Sequence, residues 1–187
     1  MSVPYRYLLP AILCLCSPLS AQYLYGSATP DYAGVAPRFD LRSPRLGDAS
    51  FSLELRDAPG QATAVLVVGL LPTDFAFGAT RVLVDPNALL IIAPVACGGV
   101  LGNSGSGSAS FPLPLVGLPP ALAGLVVYAQ WFAEDPIVGG TFTATHGNRL
   151  ELALPPLVFA GSSVAGSVDP FAFVDPLAGT VAATGGT

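Results

Sequence analysis

Lysine is missing from this chain altogether. Its seven basic residues are all arginine, histidine occurs once, at His146, and glutamate only at Glu54, Glu134 and Glu151. Charged residues make up 10 % of the 187 positions, against roughly 25 % in ordinary globular domains. Each shortage removes a class of chemistry. Without lysine there is neither a P-loop nor a Schiff base. One histidine and, once a leader is removed, one cysteine cannot supply the ligands of an ordinary structural or histidine-based zinc site. The arginines are scattered under a net charge of −5. They form no basic patch for a phosphate backbone, so no nucleic-acid partner is expected. The same negative balance is repelled by anionic lipid headgroups. Long amphipathic helices also lack their usual material, since they avoid the 21 glycines and 19 prolines present here and draw on lysine and glutamate.

The opening segment, MSVPYRYLLPAILCLCSPLSAQ, reads as a signal peptide over residues 1–21. Arg6 supplies the positive start, Leu8 to Leu15 the short apolar centre, and Ser20-Ala21 the small residues before cleavage at Gln22. The apolar run is about a dozen residues, shorter than the ~20 a spanning helix needs. Pro10 interrupts it as well, so no stable membrane insertion is expected after cleavage. Cys14 and Cys16 follow Leu13 and Leu15 rather than small residues, which argues against acylation. Cleavage leaves Cys97 alone, and a lone thiol forms no intramolecular disulfide. The expected product is secreted, periplasmic or held at the cell envelope. It must be stabilised by its core, with Cys97 read as a small buried hydrophobe.

What is present is apolar and β-forming: hydrophobic residues are 52 % of the chain, and valine, leucine, threonine and aromatics fall in short runs. Residues 22–36 read as a linker or irregular edge. From there to residue 155 strand patterns recur. Arg38 to Arg42 alternates Phe39 and Leu41 with polar neighbours. Ala49 to Arg56 places Phe51, Leu53 and Leu55 on one face and Ser50, Ser52, Glu54 and Arg56 on the other, as a half-wet antiparallel strand requires. Asp57-Ala58-Pro59-Gly60 is a turn, and Ala62 to Leu70 is apolar enough for a strand buried on both faces. Thr80 to Val84 is a strand. Asp85-Pro86 then caps a helical turn reaching about Leu90. Gly98 to Ser108 reads as a flexible loop, and Ser110 to Val116, with Pro112 and Pro114, as an edge strand. Leu125 to Ala133, Gly139 to His146 and Arg149 to Leu154 complete the set. Seven or eight short strands with turns between them predict an all-β fold, an antiparallel β-sandwich of immunoglobulin or fibronectin type. The spacing of Leu122, Gly124 and Tyr128 resembles the tyrosine corner of such sandwiches. Residues 156–187, rich in glycine, alanine and serine, read as one extra hairpin or a flexible tail.

No catalytic set emerges. His146 beside Gly147-Asn148 reads as a turn residue. Ser104 and Asp135 precede it, but no GxSxG elbow contains Ser104. Glu54 and Glu151 lie on wet strand faces, and Glu134-Asp135 before Pro136 reads as a turn. Asp85, Asp135, Asp169 and Asp175 all precede proline, and no spaced DxDxD run exists. No metal site and no cofactor are therefore expected. The strand LVVYAQWFA carries the only tryptophan. Alternation puts Leu125, Val127, Ala129 and Trp131 on one face, which reads as core, with an indole N–H in need of a partner. Val126, Tyr128, Gln130 and Phe132 share the other. Tyr128, Gln130 and Phe132 have the aromatic and amide character of a ligand platform and are the candidate binding residues.

The segments LGDASFSLELRDAPG, AVLVVGL, RVLVDPNALL, FPLPLV, PPALAGLVVYAQW and ATHGNRLELAL resemble a recurring secreted module of planctomycete-type bacteria, over about Val35 to Leu154. The resemblance implies an exported β-sandwich-like domain and carries no catalytic residues. The chain departs from that pattern in its single mature cysteine and in the segment after Pro155. Together these readings predict an exported, non-catalytic structural or interaction domain with an envelope protein or polysaccharide as partner. A polysaccharide-binding module is the alternative. A small outer-membrane β-barrel is a further one, suggested by the uncharged stretch from Pro86 to Ala133 and opposed by the prolines within it.

Overall fold

The computed structural model describes residues 23–155, apart from Leu41. The expected signal peptide and the C-terminal segment 156–187 lie outside the described residues. Eleven strands run in chain order: β1 (Tyr23–Tyr25), β2 (Arg38–Asp40), β3 (Ser52–Ala58), β4 (Thr63–Gly69), β5 (Pro72–Phe77), β6 (Thr80–Val84), β7 (Leu89–Ala96), β8 (Gly107–Pro112), β9 (Val126–Glu134), β10 (Phe142–Ala144) and β11 (Gly147–Glu151). All strand pairs are antiparallel. The only helical pieces among the described residues are the 3-10 turns Pro86–Ala88 and Pro120–Leu122. The protein is an all-β antiparallel sandwich, as the alternation predicts. A six-stranded sheet has the order β1-β11-β9-β4-β7, with β10 alongside β9, and faces a three-stranded sheet β2-β3-β8. The larger sheet is open, with β1 and β7 at its edges.

Register explains the core. Leu66 of β4 lies between Trp131 of β9 and Ala93 of β7, so one face of the large sheet carries Ala64, Leu66, Val68, Ala129, Trp131, Ala133 and Leu150. The small sheet answers with Phe39, Leu53 and Leu55, joined by Phe51 from the turn before β3. Trp131 is completely buried, as its face predicts. Its indole N–H, however, meets no acceptor in the protein. The side-chain amide of Asn148, on the same face, is likewise without a protein partner. β4 has its even-numbered face sealed, while Val65 and Val67 on the other face are half-buried.

Several elements differ from expectation for physical reasons. Asp85 does cap a turn, accepting from the Asn87 N–H at 2.8 Å. That turn stops at Ala88, and Leu89–Ala96 continues as β7, paired along β4. β5 lies in the stretch between Leu70 and Thr80 to which the sequence assigns no strand, because Pro72-Thr73-Asp74 hides the alternation that follows. It pairs with β6 through the Gly78-Ala79 turn. Gly78 has φ +62, the left-handed conformation that a two-residue hairpin turn of type II′ needs at its first position. The stretch 22–36 contributes edge strand β1 and a bridge from Thr29 to Ala144. The glycine-rich loop, expected to be flexible, is anchored to the 57–60 turn. Gly60 N–H donates to Asn103 at 3.0 Å, and Gly102 N–H returns a bond to Gly60 at 3.0 Å. A Cβ on Gly60 would lie 1.9 Å from the Val100 carbonyl oxygen, so only glycine fits this approach.

Cys97 belongs to the core, as its sequence context predicts. Burial pushes its thiol up to about 11. The thiolate is the reactive form, so near pH 8 the native protein should be almost inert to a disulfide exchange reagent. In denaturant the Cys97 thiol should react with the same reagent at once. Rapid labelling of the native protein would contradict the buried placement.

Candidate functional site

The outer face of the large sheet is where the candidate residues lie, and the β5–β6 hairpin covers part of it. Side chains, rather than a strand ladder, fasten this hairpin down. Gln130 Oε1 accepts from the Leu83 N–H at 2.9 Å, and its Nε2 donates to the carbonyls of Arg81 at 2.9 Å and Thr145 at 3.0 Å. Tyr25 donates its hydroxyl to the Leu83 carbonyl at 2.6 Å, and Thr80 donates to the Phe142 carbonyl at 2.9 Å. Alternate backbone groups of β6, which β5 does not engage, thus find partners on β9 and β1, while the Thr80 side chain reaches β10. Burial, reinforced by the neighbouring Tyr128 and Tyr23, pushes the Tyr25 phenol well above its ordinary range. It remains a neutral hydrogen-bond donor.

The three candidates therefore separate. Gln130 is fully buried with its amide bonded on both sides, so it is a structural clamp with no surface to offer a ligand. Tyr128 is half-buried and meets Tyr25 edge to face, with ring centroids 5.7 Å apart. Phe132 alone borders an open space. Alternation assigned all three to one face correctly, but it carries no information about what covers that face.

The space beside Phe132 is an apolar cleft of about 370 Å³ between the hairpin and the sheet. β4 contributes Val65 and Val67, the hairpin Phe75, Phe77, Val82 and Val84, and β10 Phe142, with Pro86 and Leu89 closing one end. No lining residue is titratable, and the Thr80 hydroxyl at its edge is engaged with Phe142. The cleft offers dispersion contact and removal of water, and nothing to orient a polar group. Apolar surface continues on this face: Phe77 is 66 % exposed, and Ile92, paired with Val67, is 62 % exposed. Sequence reading missed the hairpin half of this site. The available signal was the i, i+2 pair Phe75 and Phe77 in PTDFAF.

The remaining residues weighed in the sequence serve separate local roles. His146 sits half-buried between β10 and β11, while the Ser104 hydroxyl donates to the Asp31 carboxylate. Glu54 pairs with Arg56 at 2.6 Å and Glu151 with Arg149 at 3.1 Å. The hydrogen bond from Arg56 holds the Glu54 carboxyl below its usual range. These are surface pairs of the kind that add little stability. Among the described residues no three of His, Cys, Asp and Glu gather in a group able to hold a metal. No protein family, curated protein or solved structure matches the chain.

Proposed function

We propose that this is an exported, non-catalytic interaction domain of the cell envelope or extracellular space, and that it grips a large apolar side chain of a partner envelope protein in the cleft beneath the β5–β6 hairpin. The reading of export rests on Arg6, the apolar run Leu8 to Leu15 and the Ser20-Ala21 cleavage signal. The observation that carries the docking reading is the cleft itself, which is apolar, with exposed Phe77 on its wall and exposed Ile92 paired beside Val67 on the same sheet face. Pockets for free small molecules combine apolar walls with a few polar groups that fix orientation. This one has no free polar group. It therefore suits an anchor whose orientation is set by a larger surrounding interface, as hot-spot side chains are. An uncharged apolar rim is also what a protein partner needs and a solvated monomer avoids. The sugar-platform alternative is not favoured, since Gln130 is sealed and Tyr128 lies against Tyr25.

The test is fractionation of cells expressing the full chain. The mature protein should begin at Gln22 and stay with the envelope fraction. Phe77→Asp combined with Ile92→Asp should lower that retention at least about tenfold, the loss of a hot spot, with an unchanged circular dichroism spectrum, because both side chains are exposed. A native protein that is strictly monomeric and freely soluble, or a double variant retained as well as the parent, would overturn the proposal.

A further inference from the structure

Three loops of the domain, 31–35, 98–107 and 135–141, meet at Gly102. The Gly102 carbonyl accepts from the Tyr32 hydroxyl at 2.9 Å. Ile137 lies directly against the same glycine, since a Cβ added there would collide with the Ile137 side chain. The Ser104 hydroxyl donates to the Asp31 carboxylate, and Val35 borders Gly105. Gly102 itself is buried, but the apolar side chains around it are open. Val100 is 65 %, Leu101 59 % and Ile137 61 % exposed, with Tyr32 and Val138 exposed as well.

The backbone that carries this patch is bonded within the domain. The Val100 N–H donates to the Ser106 hydroxyl at 3.2 Å, and the Val100 carbonyl accepts from the Asn103 N–H at 2.9 Å. The N–H groups of Ile137 and Val138 donate to Asp135 Oδ1 at 2.8 and 3.1 Å. The Val138 carbonyl accepts from the Thr141 hydroxyl at 2.6 Å. The N–H groups of Ala33 and Val35 donate to Asp31 Oδ1 at 3.0 Å each. Both carboxylates therefore serve their own turns, and Asp135 is only 2 % exposed. No arginine or histidine occurs in the three loops.

Open apolar side chains on an internally bonded backbone suit one kind of neighbour best. A protein interface takes about one hydrogen bond per 100–200 Å², and the loop groups that would make them are already committed. A lipid surface requires that commitment, because hydrocarbon offers no partner to a free N–H or C=O. From this we infer that the three loops form a membrane-contact surface that settles into an electrically neutral bilayer, one of phosphatidylcholine type. The loops carry no cation to seek anionic headgroups, and the net charge of −5 is repelled by them. A handful of partly inserted side chains binds weakly and reversibly, as a single acyl chain does. The surface shares no residue with the cleft beside β5 and β6, and neither depends on the other.

Flotation with protein-free vesicles is the test, on protein purified from cells expressing the full chain. Phosphatidylcholine vesicles at millimolar lipid should carry the protein upward, and salt at about 0.5 M should change this little. Leu101→Asp combined with Ile137→Asp should lower the partition at least about tenfold. Its circular dichroism spectrum should be unchanged, since both side chains are exposed. Leu101→Trp should partition more strongly, and its emission should shift to the blue on vesicles, with the wholly buried Trp131 as a constant background. Phe77→Asp combined with Ile92→Asp should float like the parent, which separates these loops from the cleft. Four results would each overturn the assignment. They are no flotation at up to about 5 mM phosphatidylcholine, which would leave the loops to a protein partner; binding only to vesicles containing phosphatidylglycerol; a Leu101→Trp emission unmoved by vesicles; or a folded Leu101→Asp, Ile137→Asp protein that floats as the parent does.

Discussion

Trp131→Ala is expected to be the most damaging single substitution in the domain, lowering stability by about 3–5 kcal/mol. Trp131 is wholly buried, faces Leu66 across the β9–β4 pair and is the largest side chain of the core. Its removal leaves a cavity among the core side chains of both sheets, which close-packed surroundings relax into only partly. Native domains hold only about 5–15 kcal/mol in all, so the variant should lose a large share of its margin. Thermal unfolding should show a fall in Tm of roughly 10 °C or more. Trp131→Phe is the informative control. The indole N–H has no acceptor in the protein, so phenylalanine sheds a buried unpaired donor while keeping most of the apolar contact, and its cost should be well under half that of alanine. Phe132→Ala, next in sequence but on the cleft face, should cost only about 1 kcal/mol. Equal effects at positions 131 and 132 would contradict the division of faces.

Gln130→Ala should come next, at about 3–5 kcal/mol, by a different mechanism. The substitution removes the partner of the Leu83 N–H and one partner each of the Arg81 and Thr145 carbonyls. Leaving a buried polar group unpaired costs about 1–3 kcal/mol, and these losses do not add fully. Gln130→Glu should be at least as harmful. Its carboxylate can still accept from Leu83, but it donates nothing to the two carbonyls and sets a charge against their oxygens. Hydrogen exchange separates this from a general loss of core. The amides of β6 should lose protection before those of β3 and β8, because the hairpin is fastened by side chains. Uniform loss across all three strands would mean that Gln130 is not a local clamp.

Most of the sandwich was legible because its strands advertise themselves. Phe51, Leu53 and Leu55 alternate cleanly into β3, and β9 divides into a core row that holds Trp131 and an outer row that holds Phe132. The edge character of β8 followed from proline, which cannot complete a ladder. β7 was obscured because an uncharged apolar run after Asp85-Pro86 has no period and suits a helical turn as well as a strand. β5 was obscured by its proline and aspartate. Part of the site was hidden for a deeper reason. Alternation tells which residues share a face, and only the three-dimensional path of β5 and β6 tells which of them are covered. Gln130 looked like a ligand partner from its chemistry and became a clamp because a hairpin from elsewhere in the chain lies across it. Asp135, read as a turn residue before Pro136, does close that turn by accepting from the Ile137 and Val138 N–H groups.

The working surface of the domain is held to be the apolar cleft beside β5 and β6, and cross-linking in cells tests that directly. A photoactivatable residue at Phe77, on the cleft rim, should trap one envelope protein in good yield, and the same residue at exposed Ser110 on the opposite sheet should trap none. A partner trapped at Ser110 and not at Phe77, or only lipid trapped at Phe77, would contradict the account.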